Sequence, residues 1–469
     1  MDVREPIPGC RDWVHSTQTK LHQWAQTNKD EALREAWGLV THPMVLAEAW
    51  RRLSQNQGSK TAGVDGETRA SVESKGVGKL LEQVRSDLRS GRFKPVPVRE
   101  HRIPKPGKRN QYRRLGIPTL RDRLVQMALK LVLEPIFEAD FQSCSYGFRP
   151  GRSTHDALAE IRLFGNHPSN YEYAIEGDIR SCFDRIDHAL LMRRLRCRIA
   201  DRKVLHLVHA FLRAGILSRK GFEPTLEGTP QGGVLSPLLS NVLLDGLDVA
   251  YMTRHHNLSA HQRHDVRRRG GYTCYLVRYA DDFVVLVKGT REQAEMERTW
   301  LAGFLRETLH LELHPEKTHV TRLTEGVDFL GFTLRRVPYR GHYVVFQYPR
   351  KSALKRVMDR VRELTRRTVT YLAFEQVCHG LNRVLRGWSA YFRYGDKKTL
   401  SYLGWLVWHR VQRWLRAKHK GRSWKWVRDR YGGPHWHTKE VALFRVGYVS
   451  VRRWRYRGRR IPSPWGEST

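Results

Sequence analysis

The chain has 469 residues, with 84 Lys plus Arg against 47 Asp plus Glu and a formal net charge of +37. Such an excess goes beyond what solubility needs and predicts a polyanionic partner. With 40% hydrophobic residues the chain is no disordered tail protein, and its length suits about two to four domains. No run of about 18 apolar residues is present to span a bilayer. Met1–Pro6 has no apolar core of a signal peptide. A cytoplasmic location and no membrane partner are expected.

In chain order, the first 60 residues read as helices. Val45, Leu46, Trp50 and Leu53 keep helical spacing until Gln55-Asn56-Gln57-Gly58-Ser59 breaks it. Residues 92–118 are rich in Pro, Gly, Lys and Arg, with short β-like pieces such as Pro95–Val98. Residues 171–178 read as a strand ending in Asp178. His255, His256, His261 and His264 lie among five arginines and predict a solvated basic loop rather than a zinc site. Tyr272–Val277 and Phe283–Val287 are apolar runs around a short polar break, a hairpin signal. Beyond about residue 350 the period turns helical: Leu354, Val357, Val361 and Leu364 mark one face, and Leu403, Leu406, Val407, Val411, Trp414 and Leu415 another. Six cysteines lie far apart with no Cys-x-x-Cys pair, so no zinc is expected and a reducing compartment fits.

The hairpin break is Tyr279-Ala280-Asp281-Asp282. Two adjacent acids at a tight turn are unfavourable unless positive charge sits with them. The tetrapeptide alone is weak, because Asp pairs are common in ordinary turns. Asp178 adds to it, since a second apolar strand also ends in an acid. If the two strands are neighbours, Asp178, Asp281 and Asp282 converge on one edge. Hard oxygen ligands of this kind suit Mg²⁺. Two such ions about 3.5–4 Å apart activate a 3′-hydroxyl and stabilise departing pyrophosphate.

Three segments carry a more specific resemblance. Gly177-Asp178-Ile179-Arg180-Ser181-Cys182-Phe183-Asp184 resembles the first palm motif of reverse transcriptases. Gly228-Thr229-Pro230-Gln231-Gly232-Gly233-Val234-Leu235-Ser236-Pro237 is similar to their middle motif, and Tyr279–Asp282 to their catalytic hairpin in the form common among bacterial group II intron enzymes. The resemblance implies metal ligation by Asp178, Asp281 and Asp282 with help from the Ile179 carbonyl. It places a sugar-discriminating ring at Phe183 and a base-pair contact at Gln231. Ile103–Thr119 is similar to the family's fingers hairpin, where Lys105 and Arg113 would clamp the triphosphate; Arg114 stands where relatives carry Pro, so that assignment shifts by one on another reading. Lys317 matches a lysine near the nucleotide's phosphates. Arg149 and Arg152, in Ser145–Arg152, either grip template phosphates or form structural ion pairs.

The implied fold is α+β, a right-hand polymerase. It comprises an N-terminal helical extension (1–60), fingers (61–170), an antiparallel-sheet palm (171–335), a helical thumb with maturase domain X (336–425) and a basic DNA-binding region (426–469). Leu381–Gly395 resembles the group II maturase signature, and its Arg386, Trp388, Tyr391 and Arg393 suit stacking and backbone contacts in structured RNA. The last 39 residues hold only Glu440 and Glu467 as acids, and Arg452, Arg453 and Arg455 are the expected DNA contacts. No HNH nuclease with paired cysteines is expected. The implied partners are a group II intron RNA, target DNA, an RNA template with DNA primer, and dNTPs; the implied cofactor is a pair of Mg²⁺ ions. Rival readings are a splicing-only maturase, a host-adopted enzyme of defence or repair, and a viral-type RNA polymerase.

Overall fold

The computed structural model describes residues 7–104, 111–218, 220–230, 232–458 and 461–466. Its strands are β1 (Val98–Pro104), β2 (Tyr112–Ile117), β3 (Tyr173–Asp178), β4 (Ile216–Ser218), β5 (Gly221–Glu223), β6 (Thr273–Tyr279), β7 (Asp282–Lys288), β8 (His319–Arg322), β9 (Val327–Phe329), β10 (Phe332–Tyr339) and β11 (His342–Pro349). They form three sheets, ordered β2-β1-β4-β5, β6-β7-β3-β8 and β11-β10-β9.

The central sheet is antiparallel throughout and covered on both faces. Ile175, Leu276, Phe283 and Val285 join a large core with the helices Leu120–Glu138, His188–Arg196, Ser236–Tyr251 and Arg291–Leu309. Ala174, Val277, Val284 and Leu286 meet the helix Thr154–Gly165 and β10 on the other side. Two-sided burial explains why β6 and β7 read as unbroken apolar runs rather than alternating ones. Their polar residues are confined to the ends, where Asp281 and Asp282 sit.

The N-terminal helices Cys10–Thr27 and Pro43–Gln55 pack on Leu120–Glu138. The second is opened by Pro43 at its first turn, with the His42 ring accepting the Met44 N–H. These helices share one core with the central sheet, so residue 60 marks no boundary between cores.

The α-to-all-helical change falls where expected: β11 ends at Pro349 and the helices Lys351–Leu364, Phe374–Phe392, Lys397–Lys418 and Trp424–Tyr431 follow. They enclose a separate core of Val357, Val361, Leu381, Leu385, Leu403, Val407, Val411 and Trp414. Trp436, assigned by sequence to a basic appendage, is buried in that core instead. The chain then runs back: Arg457 pairs with Asp156, Ile461 enters the core beneath β10, and the Trp465 indole donates to Gln18 Oε1 at 3.3 Å. Among the described residues no helix is long and apolar enough to cross a membrane.

Candidate active site and nucleic-acid interface

The register of β3 against β7 sets Asp178 directly opposite Asp282. Tyr279 pairs with Asp282 in the adjoining ladder, leaving Ala280 and Asp281 as a two-residue turn. Ala280 takes φ 59°, the left-handed region such a turn requires at its first central residue. Three carboxylates thus meet at one sheet end. Burial, then the charge of Asp178, raises the Asp281 carboxyl above the ordinary range. Asp282 is pushed up to about 6 by burial and by its two neighbours, with Lys317 and Arg113 acting in the opposite sense. Lys317 is hydrogen-bonded to Asp178 and brings positive charge to the cluster. The donor set is all oxygen and short of positive charge, which fits a hard divalent cation.

The Ile179 backbone sits favourably as well. Arg180 N–H donates to the Glu312 carbonyl and His314 N–H to the Asp178 carbonyl, so Ile179 forms a wide pair with Leu313. Its own carbonyl is left pointing to the other side, toward the Asp281 turn.

Beneath the turn lies a platform that sequence reading missed. Arg278 is wholly buried. Its Nε donates to Asp248 at 2.7 Å, and its Nη1 to Asn241 Oδ1 at 3.0 Å and to the Ala280 carbonyl at 2.9 Å. Asn241 in turn donates to the Gly147 carbonyl at 2.8 Å. The stretch Cys144–Tyr146 runs beside Arg278, exchanging two backbone bonds of 2.8 Å with it. Gly147 lies so close that a Cβ there would stand 2.3 Å from the Ala280 nitrogen. A signal existed: Arg278 is the one charged residue in the apolar strand β6, and an arginine in such a strand needs a buried acid.

On the nucleotide side, Arg113 and Arg114 point to opposite faces of β2. Arg114 is committed to Glu100 and Glu223, each at 2.6 Å. Arg113 is exposed and acts electrostatically on Asp281 and Asp282. Phe183 is half-buried, edge-on to Phe148 at 6.4 Å. Its carbonyl accepts the Thr229 N–H at 2.7 Å, so the first and middle motifs are tied together. Lys105 and Gln231 lie outside the described residues. The loop around Gln231 is braced by Gln126, which accepts the Val234 N–H at 2.9 Å, and by Ser236, which donates to the Pro230 carbonyl at 2.9 Å.

Residues 103–334 match the family model described as reverse transcriptase (RNA-dependent DNA polymerase), and residues 354–432 match the group II intron maturase-specific domain. The chain is 37% identical over 361 residues to Protein YkfC of Escherichia coli (strain K12), covering 72% of this chain and 93% of that protein. The chain belongs to the group II intron reverse transcriptase/maturase family. Group II intron-encoded protein LtrA of Lactococcus lactis subsp. cremoris is 28% identical over 473 residues, covering 86% of this chain and 78% of LtrA. Nuclear intron maturase 2 of Arabidopsis thaliana is 27% identical over 282 residues, covering 46% of this chain and 38% of that protein. This family member therefore carries an RNA-directed DNA polymerase domain followed by a maturase domain.

Several residues expected to contact nucleic acid also have partners within the fold. Arg149 is buried, held by Glu138 at 2.8 Å and by the carbonyls of Gln142, Ser145 and Phe141. This is the structural ion pair of the two readings, and it locks the segment behind the Ala280–Asp281 turn. Arg152 likewise donates to the Ser143 and Ser145 carbonyls. Tyr391 gives its hydroxyl to the Leu330 carbonyl at 2.7 Å, and Trp388 packs on Phe392 at 4.4 Å. Both rings, partly buried, pack in the seam between the maturase helices and β10. Arg386, Arg452, Arg453 and Arg455 are exposed, and Arg393 is half-buried.

The histidine cluster is also corrected. His261 and His264 are exposed, but on a helix, Ala260–Arg268, where a basic loop was expected. His255 and His256 are buried in a π-helical turn, Met252–His256. His256 accepts the Leu276 N–H at 2.9 Å and stacks on Tyr275 at 4.0 Å. His255, Cys274 and Glu297 bring ligand atoms within 4.8 Å of one another. Glu297 already binds Arg254 at 3.0 Å and accepts the Tyr272 hydroxyl at 3.0 Å, so its charge is neutralised within a core polar network.

Proposed function

We propose that the sheet end bearing Asp178, Asp281 and Asp282 is the polymerase centre, adding dNTPs to a primer 3′-hydroxyl on an RNA template. The observation that carries this is the register pairing of Asp178 with Asp282, one residue from Asp281. The three carboxylates and the Ile179 carbonyl would hold two Mg²⁺ ions, which when bound supply charge for the attacking and departing oxygens. The protein's own work is positioning. Arg113 faces the acids from β2 and would hold the triphosphate, with Lys105 and Lys317 as further cations. The half-exposed ring of Phe183 would lie under the incoming sugar and reject a 2′-hydroxyl. Gln231 would touch the nascent pair. The Arg278 platform keeps the carboxylates still while these groups align.

Around this centre the chain is read as a right hand: fingers built on β1 and β2, a palm on the central sheet, and a thumb formed by the maturase helices. Exposed Arg386 on those helices, with Arg452, Arg453 and Arg455 beyond them, would contact intron RNA and target DNA. Assistance to splicing, and mobility by target-primed reverse transcription, follow from that reading.

Extension of oligo(dT) on poly(rA) with dTTP tests it. Wild type should extend, and Asp281→Ala should lose about a thousandfold or more in rate. Equal extension by both proteins would remove the site assignment. The ratio of UTP to dTTP incorporation should rise in Phe183→Ala; an unchanged ratio would take that ring out of sugar discrimination.

A further inference from the structure

Away from the three acids, a cavity of about 610 Å³ opens between the end of the helix Thr154–Gly165, the β10–β11 hairpin and the returning segment 451–453. That volume lies within the usual range of ligand sites, about 300–1,000 Å³. Its lining includes Arg162, Asn166, Tyr343, Gln347, Asp396 and Arg453.

Arg162 is the unusual member. It is 8% exposed, yet no carboxylate, carbonyl or ring holds its guanidinium among the described residues. Buried charges are otherwise paired, and this chain follows that rule at Arg149 and Arg278. Burial pulls the Arg162 pKa down to about 10, and the charge of Arg453 adds to the effect. The cavity's carboxylate, Asp396, is turned to cap the helix Lys397–Lys418 through the Thr399 N–H at 2.8 Å. Three arginines, Arg162, Arg452 and Arg453, therefore line the cavity against a single carboxylate, Asp396.

The walls add a second chemistry. Tyr343 is 44% exposed and shares a strand face with buried Val345 and Gln347. One side of its ring meets Arg336 at 4.5 Å. The backbone of Arg452 is pinned to the Arg393 carbonyl at 3.0 Å, which fixes the neighbouring Arg453 over the opening. An anion beside an aromatic face is the signature of a nucleotide, and stacking of this kind accepts any base.

We propose that this cavity is a second nucleic-acid site, which takes one unpaired nucleotide of a single strand: Arg162 and Arg453 bind its phosphate and Tyr343 stacks on its base. The site is separate from the polymerase centre and does not depend on it.

The test is binding of fluorescent oligo(dT) and oligo(rU) by the full chain, read by anisotropy across a salt series. Arg162→Gln and Arg453→Glu are compared with Arg306→Gln, a charge-removing control on an exposed helix. Either oligonucleotide should bind about tenfold more weakly to the two site variants, and the salt slope should fall by about one in Arg162→Gln. Arg453 belongs also to the basic tail read above as contacting nucleic acid, so, should Arg162→Gln fail to fold, Tyr343→Leu at an exposed position takes its place and should weaken oligonucleotide binding as much. A 5-iodouracil oligonucleotide should photo-crosslink to Tyr343 in wild type and lose that adduct in Arg162→Gln. Binding within twofold of the control for both oligonucleotides, or adducts only elsewhere, overturns the proposal. Full protection of Tyr343 by micromolar dTMP overturns it too, because the site would then serve free nucleotides. Polymerisation is read separately, by wild type against Asp281→Ala, so failure of either reading leaves the other standing.

Discussion

Neighbouring residues of one type do different work when a strand sends them to opposite faces. Arg113 and Arg114 are adjacent on β2, yet Arg114 is tied to Glu100 and Glu223 while Arg113 faces the acids. Arg113→Ala should raise the KM for dTTP about tenfold or more, and Arg114→Ala should leave that KM within about twofold; steady-state extension kinetics decide. Asp245 offers a pH-dependent counterpart. It is half-buried near Asp248 and Arg278, and desolvation followed by the Asp248 charge pushes its carboxyl up to about 7. The folded chain thus holds that proton more tightly than the unfolded one, whose carboxyl titrates near 3.9. The cost of ionising Asp245 is absent at low pH and grows as pH rises through about 4 to 7. Asp245→Asn should melt near wild type at about pH 3 and above it at about pH 8, by on the order of 1–3 kcal/mol. A constant gap across that range would exclude Asp245 as the source.

At the level of elements, the catalytic turn is legible in sequence and its support is not. Asp178, Asp281 and Asp282 announce themselves because each ends an apolar run, and carboxylates at such points need a reason. The platform of Arg278, Asp248, Asn241 and Gly147 draws on three segments that meet only in the fold. Local pattern cannot show such a meeting, although a lone arginine in β6 hints at it. The same limit left Arg149, Trp388 and Tyr391 with two readings in sequence, and their partners Glu138, Phe392 and Leu330 come into view only in the fold. Two substitutions test the platform. Gly147→Ala forces the turn to move, so kcat should fall about 10- to 100-fold with KM little changed. Arg278→Met strands Asp248 in the core and should cost about 3–5 kcal/mol of stability, seen as a lowered melting temperature.

Over the whole molecule, a charge of +37 pointed to a polyanionic partner and left its kind open. The path of the final residues was not foreseeable from that charge. Arg457 and the Trp454 indole both bind Asp156, and Trp465 reaches Gln18 on the first helix. Asp156→Ala should loosen this strap and speed tryptic cleavage between residues 452 and 458, with the catalytic sheet still resistant; an unchanged digestion pattern would show that the strap holds without it.

The pairing of β3 with β7 has a temporal consequence. Tyr173 and Val287 are partners, and everything between them must be in place before the acids can meet. Long-range closure of this kind is slow, whereas basic side chains attract RNA from any conformation. A refolding chain should therefore capture transcripts before it regains the power to copy them, and chaperoned maturation would be visible as a lag between the two.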